Sequence, residues 1–193
     1  TPVCSSAASD VYKRQDDVIG TLALEADKKG IKTLIATGDK DMAQLVTENI
    51  HLIDTMKDLR MGPAEVKEKF GIQPDRFIDY LTLAGDTSDN IPGVEKVGPK
   101  TAIKWINEYG SLDGVIQNAD QIKGKIGENL NTALDRLDLF KTLVTIKCDV
   151  EMDSNISDLT IGESNEGLLF EQLSDLGLHL SLIHISEPTR RVR

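Results

Sequence analysis

The chain has 193 residues, 39% of them hydrophobic and 28% charged, and a formal net charge of −10. That length bounds one moderate domain, or one domain with a small appendage. No apolar run reaches the length of a membrane-spanning helix, the acidic balance argues against non-specific nucleic-acid binding by the chain as a whole, and two distant cysteines, Cys4 and Cys148, argue against a disulfide framework and for a reducing compartment.

The two ends differ from the middle. Residues 1–15 (Asp10, Lys13, Arg14) are net +1 and residues 181–193 (Glu187, Arg190, Arg191, Arg193) net +2, so residues 16–180 hold −13. "TPVCSSAASDVYKRQ" has no periodicity, and "SLIHISEPTRRVR" is a short apolar run with a basic tail. Both read as non-native tails, 1–15 and 181–193, on a truncated domain. No basic stretch followed by an apolar run marks a signal peptide.

From Asp16 the pattern is helical, with Val18, Ile19, Leu22, Ala23 and Ala26 on one face and Gly30 as the stop. "IKTLIATG" (31–38) reads as a buried strand, "DKDMAQLV" (39–46) as a helix, and "NIHLIDT" (49–55) as a second strand. This alternation predicts an α/β unit with a parallel sheet over residues 16–62, its first strand missing. Residues 63–180 read as helical. Pro63 and Pro74 open two helices, the second with Phe77, Ile78, Leu81 and Ala84 on one face. "KTAIKWINEYG" turns Ala102, Ile103, Ile106 and Tyr109 inward and stops at Gly110, "SLDGVIQN" is a short helix, and Leu130, Ala133, Leu134, Leu137, Phe140 and Val144 form an amphipathic stripe. Trp105 is expected on a helix flank and Cys148 as a small hydrophobe.

Three aspartate pairs carry the chemistry: Asp16–Asp17, Asp39–Asp41 and Asp86–Asp89. Each pair has an ordinary use, at a helix start, as a cap or in a turn. Their placement suggests more. Asp39 and Asp41 follow a parallel strand, where open α/β sheets place ligands. An i, i+2 pair in extended chain points to one side, and one helical turn would align Asp86 with Asp89. Several carboxylates converging there require a cation to stay ionised. Oxygen donors suit Mg²⁺ or Mn²⁺, and two such ions about 4 Å apart hydrolyse phosphodiesters. No histidine, serine or cysteine arrangement competes.

"PGVEKVGPKTA" (92–102) is the second signal. Gly93 and Gly98 bracket a turn with Val94 and Val97 as apolar anchors, and Pro99 opens a helix. Gly98, Lys100 and Thr101 would offer backbone N–H groups and a hydroxyl at a helix N-terminus, a phosphate site. Lys96 and Lys100 would add charge without reading bases. The plain alternative is a helix–turn–helix connection with solvated lysines.

"DDVIGTLALEA", "TGDKDMAQLV", "LAGDTSDNIPGVEKVGPKTA" and "TIKCDVE", in that order from Asp16 to Gly177, resemble the 5′-3′ exonuclease (5′-nuclease) domain of bacterial DNA polymerase I, in the flap-endonuclease superfamily. The resemblance implies a PIN-like sheet followed by a helix–three-turn–helix at about 83–109. It implies metal-dependent cleavage of duplex DNA bearing a 5′ end or flap, in primer removal and repair. Asp16, Asp17, Asp39, Asp41, Asp86 and Asp89 match its Mg²⁺ or Mn²⁺ carboxylates. Leu83, Ala84, Pro92, Val94 and Val97 match carbonyls that hold K⁺, and Gly93 with Lys96 to Thr101 (Val97, Gly98, Pro99, Lys100) matches the DNA contact. It further implies a monomer in the bacterial cytoplasm, associated with the nucleoid and linked to polymerase domains, with no membrane partner. The family expects a glutamate where Arg14 stands, and a preceding Asp-bearing strand and basic arch. Their absence from the sequence leaves two readings of this chain: a nuclease, or a duplex-binding module that keeps only the hairpin.

Overall fold

The computed structural model describes residues 15–153, 156–160 and 165–178. The two tails, apart from Gln15, lie outside the described residues, and so does Arg14. Residues to Ile156 form one unit, and those from Ser157 a second.

The first unit opens with helix α1 (Gln15–Lys28), which buries Gly20, Ala23 and Ala26. These are small residues for a reason. A Cβ on Gly20 would lie 2.8 Å from Ile146 Cγ2 and 3.0 Å from Cys148 Sγ, so the late segment 146–148 crosses the helix where no side chain stands. Asp17 Oδ1 accepts the Lys147 N–H at 2.9 Å, and Thr21 Oγ1 the Val150 N–H at 3.2 Å.

Strands β1 (Thr33–Ala36) and β2 (Ile50–Asp54) pair in parallel, as the alternation predicts. A third strand, β3 (Leu59–Met61), pairs antiparallel with β2, so the sheet is mixed rather than wholly parallel. Asp54 Oδ1 makes that return, accepting the Met56 and Lys57 N–H groups at 3.1 and 3.3 Å. β3 is three residues long and two of them are exposed, too little for a period to register. The segment expected as a helix at 39–46 is a shorter 3₁₀ helix, Asp41–Leu45, with Met42, Ala43 and Leu45 buried.

Helix α2 (Pro63–Phe70) has Pro at its start and left-handed Gly71 at its end. Pro74 begins a 3₁₀ turn that runs into α3 (Phe77–Ala84). Helices α4 (Pro99–Tyr109), α5 (Leu112–Gln117) and α6 (Lys125–Val144) follow. The predicted stripe on α6 is correct: Leu130, Leu137, Phe140 and Val144 are buried, and Ala133 and Leu134 are partly buried against the core. Trp105 is 6% exposed, so it is core rather than flank. Asp79, buried on α3, accepts the Leu112 N–H at 3.0 Å and ties α3 to α5. In the second unit, α7 (Glu166–Asp175) starts under an Asn165 side chain that accepts the Leu168 N–H at 3.0 Å.

Between α3 and α4 the chain folds back on itself. Asp86 and Ile91 exchange backbone hydrogen bonds at 2.9 and 2.7 Å, and the Val94 N–H donates to the Leu83 carbonyl at 2.9 Å. Gly85 and Gly93 meet backbone to backbone, with φ of 72° and 62°. A Cβ on Gly85 would lie 2.5 Å from the Ile91 carbonyl oxygen, and one on Gly93 would lie 2.7 Å from the Ala84 carbonyl carbon. Glycine is required at both positions, for the left-handed backbone and for the space. We expect Gly93→Ala to lower stability by more than about 2 kcal/mol. Urea unfolding should show a lower midpoint with an unchanged slope; a change within about 0.5 kcal/mol would contradict this packing.

Candidate functional site

The carboxylates gather where β1 ends. Asp39 donates its N–H to Thr37 Oγ1 at 3.0 Å and accepts the Asp41 N–H on Oδ1 at 2.9 Å, so it closes the turn into the 3₁₀ helix. The turn after α3 arrives opposite. Asp86 is 3% exposed and accepts the Ser88 N–H at 2.7 Å. Asp86 and Asp89 sit in a turn closed by the Asp86–Ile91 bridge, not on the helical turn expected from their spacing. Gly38, Asp39, Lys40, Asp41, Asp86 and Asp89 line one cleft of about 260 Å³.

Electrostatics shows which carboxylates share this space. Burial, then Asp39 and Asp86, push the Asp41 carboxyl up to about 6, with a further contribution from Asp89; Lys40 opposes them. Burial, then Asp39, Asp17 and Asp89, also raise Asp16. Asp39, Asp86 and Asp89 therefore act on Asp41 across the cleft, and Asp39 and Asp89 also act on Asp16 on α1. Asp17 is engaged elsewhere, since its Oδ1 holds the Lys147 N–H.

Lys40 is a residue that sequence reasoning passes over, although it stands between Asp39 and Asp41. Its Nζ pairs with Asp86 Oδ2 at 2.5 Å. Burial alone would raise the Asp86 carboxyl, yet the Lys40 ammonium and the Ser88 N–H hold it below the ordinary range. Asp41 feels Lys40 only at a distance. Its Oδ1 is buried without a hydrogen-bond partner among the described residues.

A buried, unpartnered carboxylate oxygen beside further carboxylates is the donor chemistry of a hard divalent cation. These residues fit such an ion by charge and by ligand type. Among the described residues, no three acidic, histidine or cysteine side chains are already drawn into a cage.

The other end of the hairpin is cationic. Val94 and Val97, 2% and 4% exposed, anchor it, each burial contributing roughly 2 kcal/mol. Between them Lys96 adopts φ 63°, an uncommon conformation for a non-glycine residue. Gly98 caps α4 in an extended conformation and Pro99 is its first residue. Gly98, Pro99 and Lys100 are exposed. The N–H of Thr101 is not free as expected; it donates to the Gly98 carbonyl at 3.0 Å, as does that of Ala102. Lys96 and Lys100 have no carboxylate within 4.0 Å among the described residues. Of the carbonyls at Leu83, Ala84, Pro92, Val94 and Val97, those of Leu83 and Val94 already accept the N–H groups of Val94 and Val97.

We expect Asp41→Asn to stabilise the metal-free protein. A carboxyl raised in the fold makes ionisation costly there. The cost is absent below the unfolded value near 4 and complete above about 6. At pH 7.5 in chelator the variant should gain on the order of 1 kcal/mol, discounted for partial exposure. The gain should vanish towards pH 4, where Asp41 is protonated in the fold and carries no cost of ionisation. Melting temperature against pH measures it, and equal curves for the two proteins would contradict the assignment.

Comparisons with known proteins place this geometry. The family described as 5′-3′ exonuclease, N-terminal resolvase-like domain, matches residues 14–71, and its companion, 5′-3′ exonuclease, C-terminal SAM fold, matches residues 72–167. DNA polymerase I of Bacillus subtilis is 37% identical over 179 residues, covering 90% of this chain and 20% of that protein. A 5′-3′ exonuclease of Buchnera aphidicola is 39% identical over 153 residues, covering 76% and 54%. Among solved structures, a bacteriophage T5 flap endonuclease in a pseudo-enzyme-product complex with DNA and metal ions superposes with a TM-score of 0.61 at 23% identity, over 69% of this chain and 50% of that one. That likeness establishes the fold. The chain thus spans about half of the stand-alone relative and a fifth of the polymerase. No helix among the described residues is long and apolar enough to cross a membrane.

Proposed function

The chain belongs to the 5′-3′ exonuclease family, as found in DNA polymerase I and in stand-alone 5′-3′ exonucleases, and on that premise we propose that it is the part of a divalent-metal-dependent flap endonuclease that both holds metal and grips duplex DNA. The observation that carries the proposal is the orphaned Oδ1 of Asp41, buried in a cleft shared with Asp39, Asp86 and Asp89.

Asp39, Asp41, Asp86 and Asp89 would hold Mg²⁺ or Mn²⁺, Asp16 would add negative charge from α1, and Asp17 would contribute only through the carboxylate oxygen that the Lys147 N–H does not hold. Bound there, the metal would supply a hydroxide nucleophile near neutral pH and stabilise the leaving oxygen. The protein's own part is positional. Asp39 and Asp41 are fixed by the turn after β1, and Asp86 by its bridge to Ile91. Asp86 would exchange its ion pair with Lys40 for such an ion. Lys96 and Lys100 would take backbone phosphates of the duplex, Gly98, Pro99 and Thr101 would form the surface that meets it, and the buried Gly93 and Val97 would shape the turn from beneath. Carbonyls at Leu83, Ala84, Pro92, Val94 and Val97 would hold K⁺ between hairpin and phosphate. The substrate is duplex DNA with a 5′ end or flap, and the role is primer removal and repair. Residues 16–62, completed by Asp86 and Asp89, would carry the metal site, and the rest of residues 63–180 the grip.

A second reading has support in the separation of the carboxylates and the commitment of Lys40 to Asp86. In that reading the chain binds duplex DNA without cutting it.

Two measurements test the proposal. A 5′-flap duplex should be cut in Mg²⁺ and left intact in EDTA, and Asp86→Asn should slow cutting by two orders of magnitude or so, as expected when a metal ligand is lost. Cutting that persists in EDTA would exclude the metal mechanism, and binding without cutting would select the second reading. Lys96→Ala with Lys100→Ala should weaken duplex binding and reduce the slope of log affinity against log salt by about 2. An unchanged slope would remove the hairpin from the DNA interface.

A further inference from the structure

The hairpin has a second side. Across from the carboxylates, Gly93 and Glu95 face helix α6 over a cleft of about 490 Å³, lined on the helix by Lys125, Asn129, Arg136 and Phe140. The spacings 125, 129, 136 and 140 place these side chains on one face of the helix. Asn129 fastens that face to the hairpin: it is 8% exposed, and its Nδ2 donates to the Glu95 carbonyl at 2.8 Å. The helix is therefore held in register with the turn that carries Lys96.

Arg136 is the unusual member. It is exposed, and its guanidinium lies 5.1 Å from the ring centroid of buried Phe140. No carboxylate stands within 4.0 Å of it among the described residues. An aromatic face steadies the guanidinium and leaves its N–H fork free for another acceptor. Lys125 lies farther along the same face, paired with Glu128 at 3.2 Å on the solvent side. The cleft is lined by two cations, Lys125 and Arg136, and one carboxylate, Glu95. The ligand chemistry that suits a planar, unpaired guanidinium and a nearby ammonium is a phosphate oxyanion. Glu95, at the hairpin rim, opposes it and limits its strength.

We propose that this cleft is a second phosphodiester-binding site, in which Arg136, assisted by Lys125, takes a backbone phosphate of the duplex that the hairpin grips. The proposal rests on the duplex-binding reading above. It extends the interface from one helix N-terminus to a two-sided clamp, with Pro92–Glu95 between the sides.

The test is duplex DNA binding by fluorescence anisotropy across a salt series, using the full chain in EDTA. Arg136→Ala should weaken binding about threefold to tenfold and lower the salt slope by about 1, as expected for one phosphate contact. Arg136→Lys should keep the slope and lose part of the affinity. Glu95→Gln should tighten binding, because it removes the opposing charge. Lys125→Ala and Glu95→Gln are surface changes, so they carry the test even if Arg136→Ala disturbs the packing on Phe140. If all four variants match the parent while Lys96→Ala with Lys100→Ala binds more weakly, the cleft is not a phosphate site and the hairpin reading stands. If the parent chain binds no duplex at all, both readings fail. Competition with inorganic phosphate separates the sources: a free-phosphate site would be displaced at millimolar concentration in the parent and not in Arg136→Ala, with equal DNA affinity in both.

Discussion

The backbone contact between Gly85 and Gly93 governs the arrangement of the site. Without it the chain leaving α3 could not reverse within a few residues and start α4 beside it. With it, the Asp86–Ile91 bridge forms, Leu83 receives Val94, and Val94 and Val97 drop into the helical core. A side chain at either glycine would push the two backbones apart. The contact places two unlike chemistries in one short segment, with Asp86 and Asp89 before the reversal and Lys96 and Lys100 after it. Their separation is then set by backbone geometry rather than by the mobility of side chains.

Charge gives that geometry its meaning. The first half of the segment meets Asp39 and Asp41 at the end of β1, where burial and mutual repulsion make ionisation costly. Lys40 relieves Asp86 and leaves Asp41 unpartnered. The second half carries Lys96 and Lys100, which stay unpaired among the described residues. An acidic protein can thus present a cationic strip, because the fold concentrates part of its negative charge in a cleft that a cation can neutralise. Net charge alone argues against nucleic-acid binding; its distribution restores the possibility.

The sequence shows most clearly those features in which one physical rule dominates. The stripe on α6 follows from burial at helical spacing. The hairpin follows from glycines, prolines and two valine anchors, each with a fixed use. The alternation of α1, β1 and β2 follows from their apolar runs, although β1 is an edge strand that buries only Ile35 and leaves Leu34 exposed, not the buried strand expected. Features that depend on tertiary partners are harder to see. β3 exists because Asp54 turns the chain back, and three residues have no period. The 3₁₀ helix after Asp39 replaces an α-helix because the chain must reach β2 within a few residues. Asp86 and Asp89 lie in a bridged turn because Gly85 ends α3 before them. Lys40 has a signal in the sequence, since a lysine between two cleft aspartates is a natural counter-ion. Asp17 has none: its partner, Lys147, is 130 residues away in sequence.

The most direct measurement is amide NMR of the full chain with Mn²⁺ and, separately, with a short duplex. Paramagnetic broadening should centre on residues 39–41 and 86–89, while duplex-induced shifts should centre on 96–101, with the two sets meeting only near Gly93. Mn²⁺ broadening that centres elsewhere, or a duplex footprint that falls on the carboxylates and spares 96–101, would contradict the division of this hairpin into a metal-facing half and a DNA-facing half.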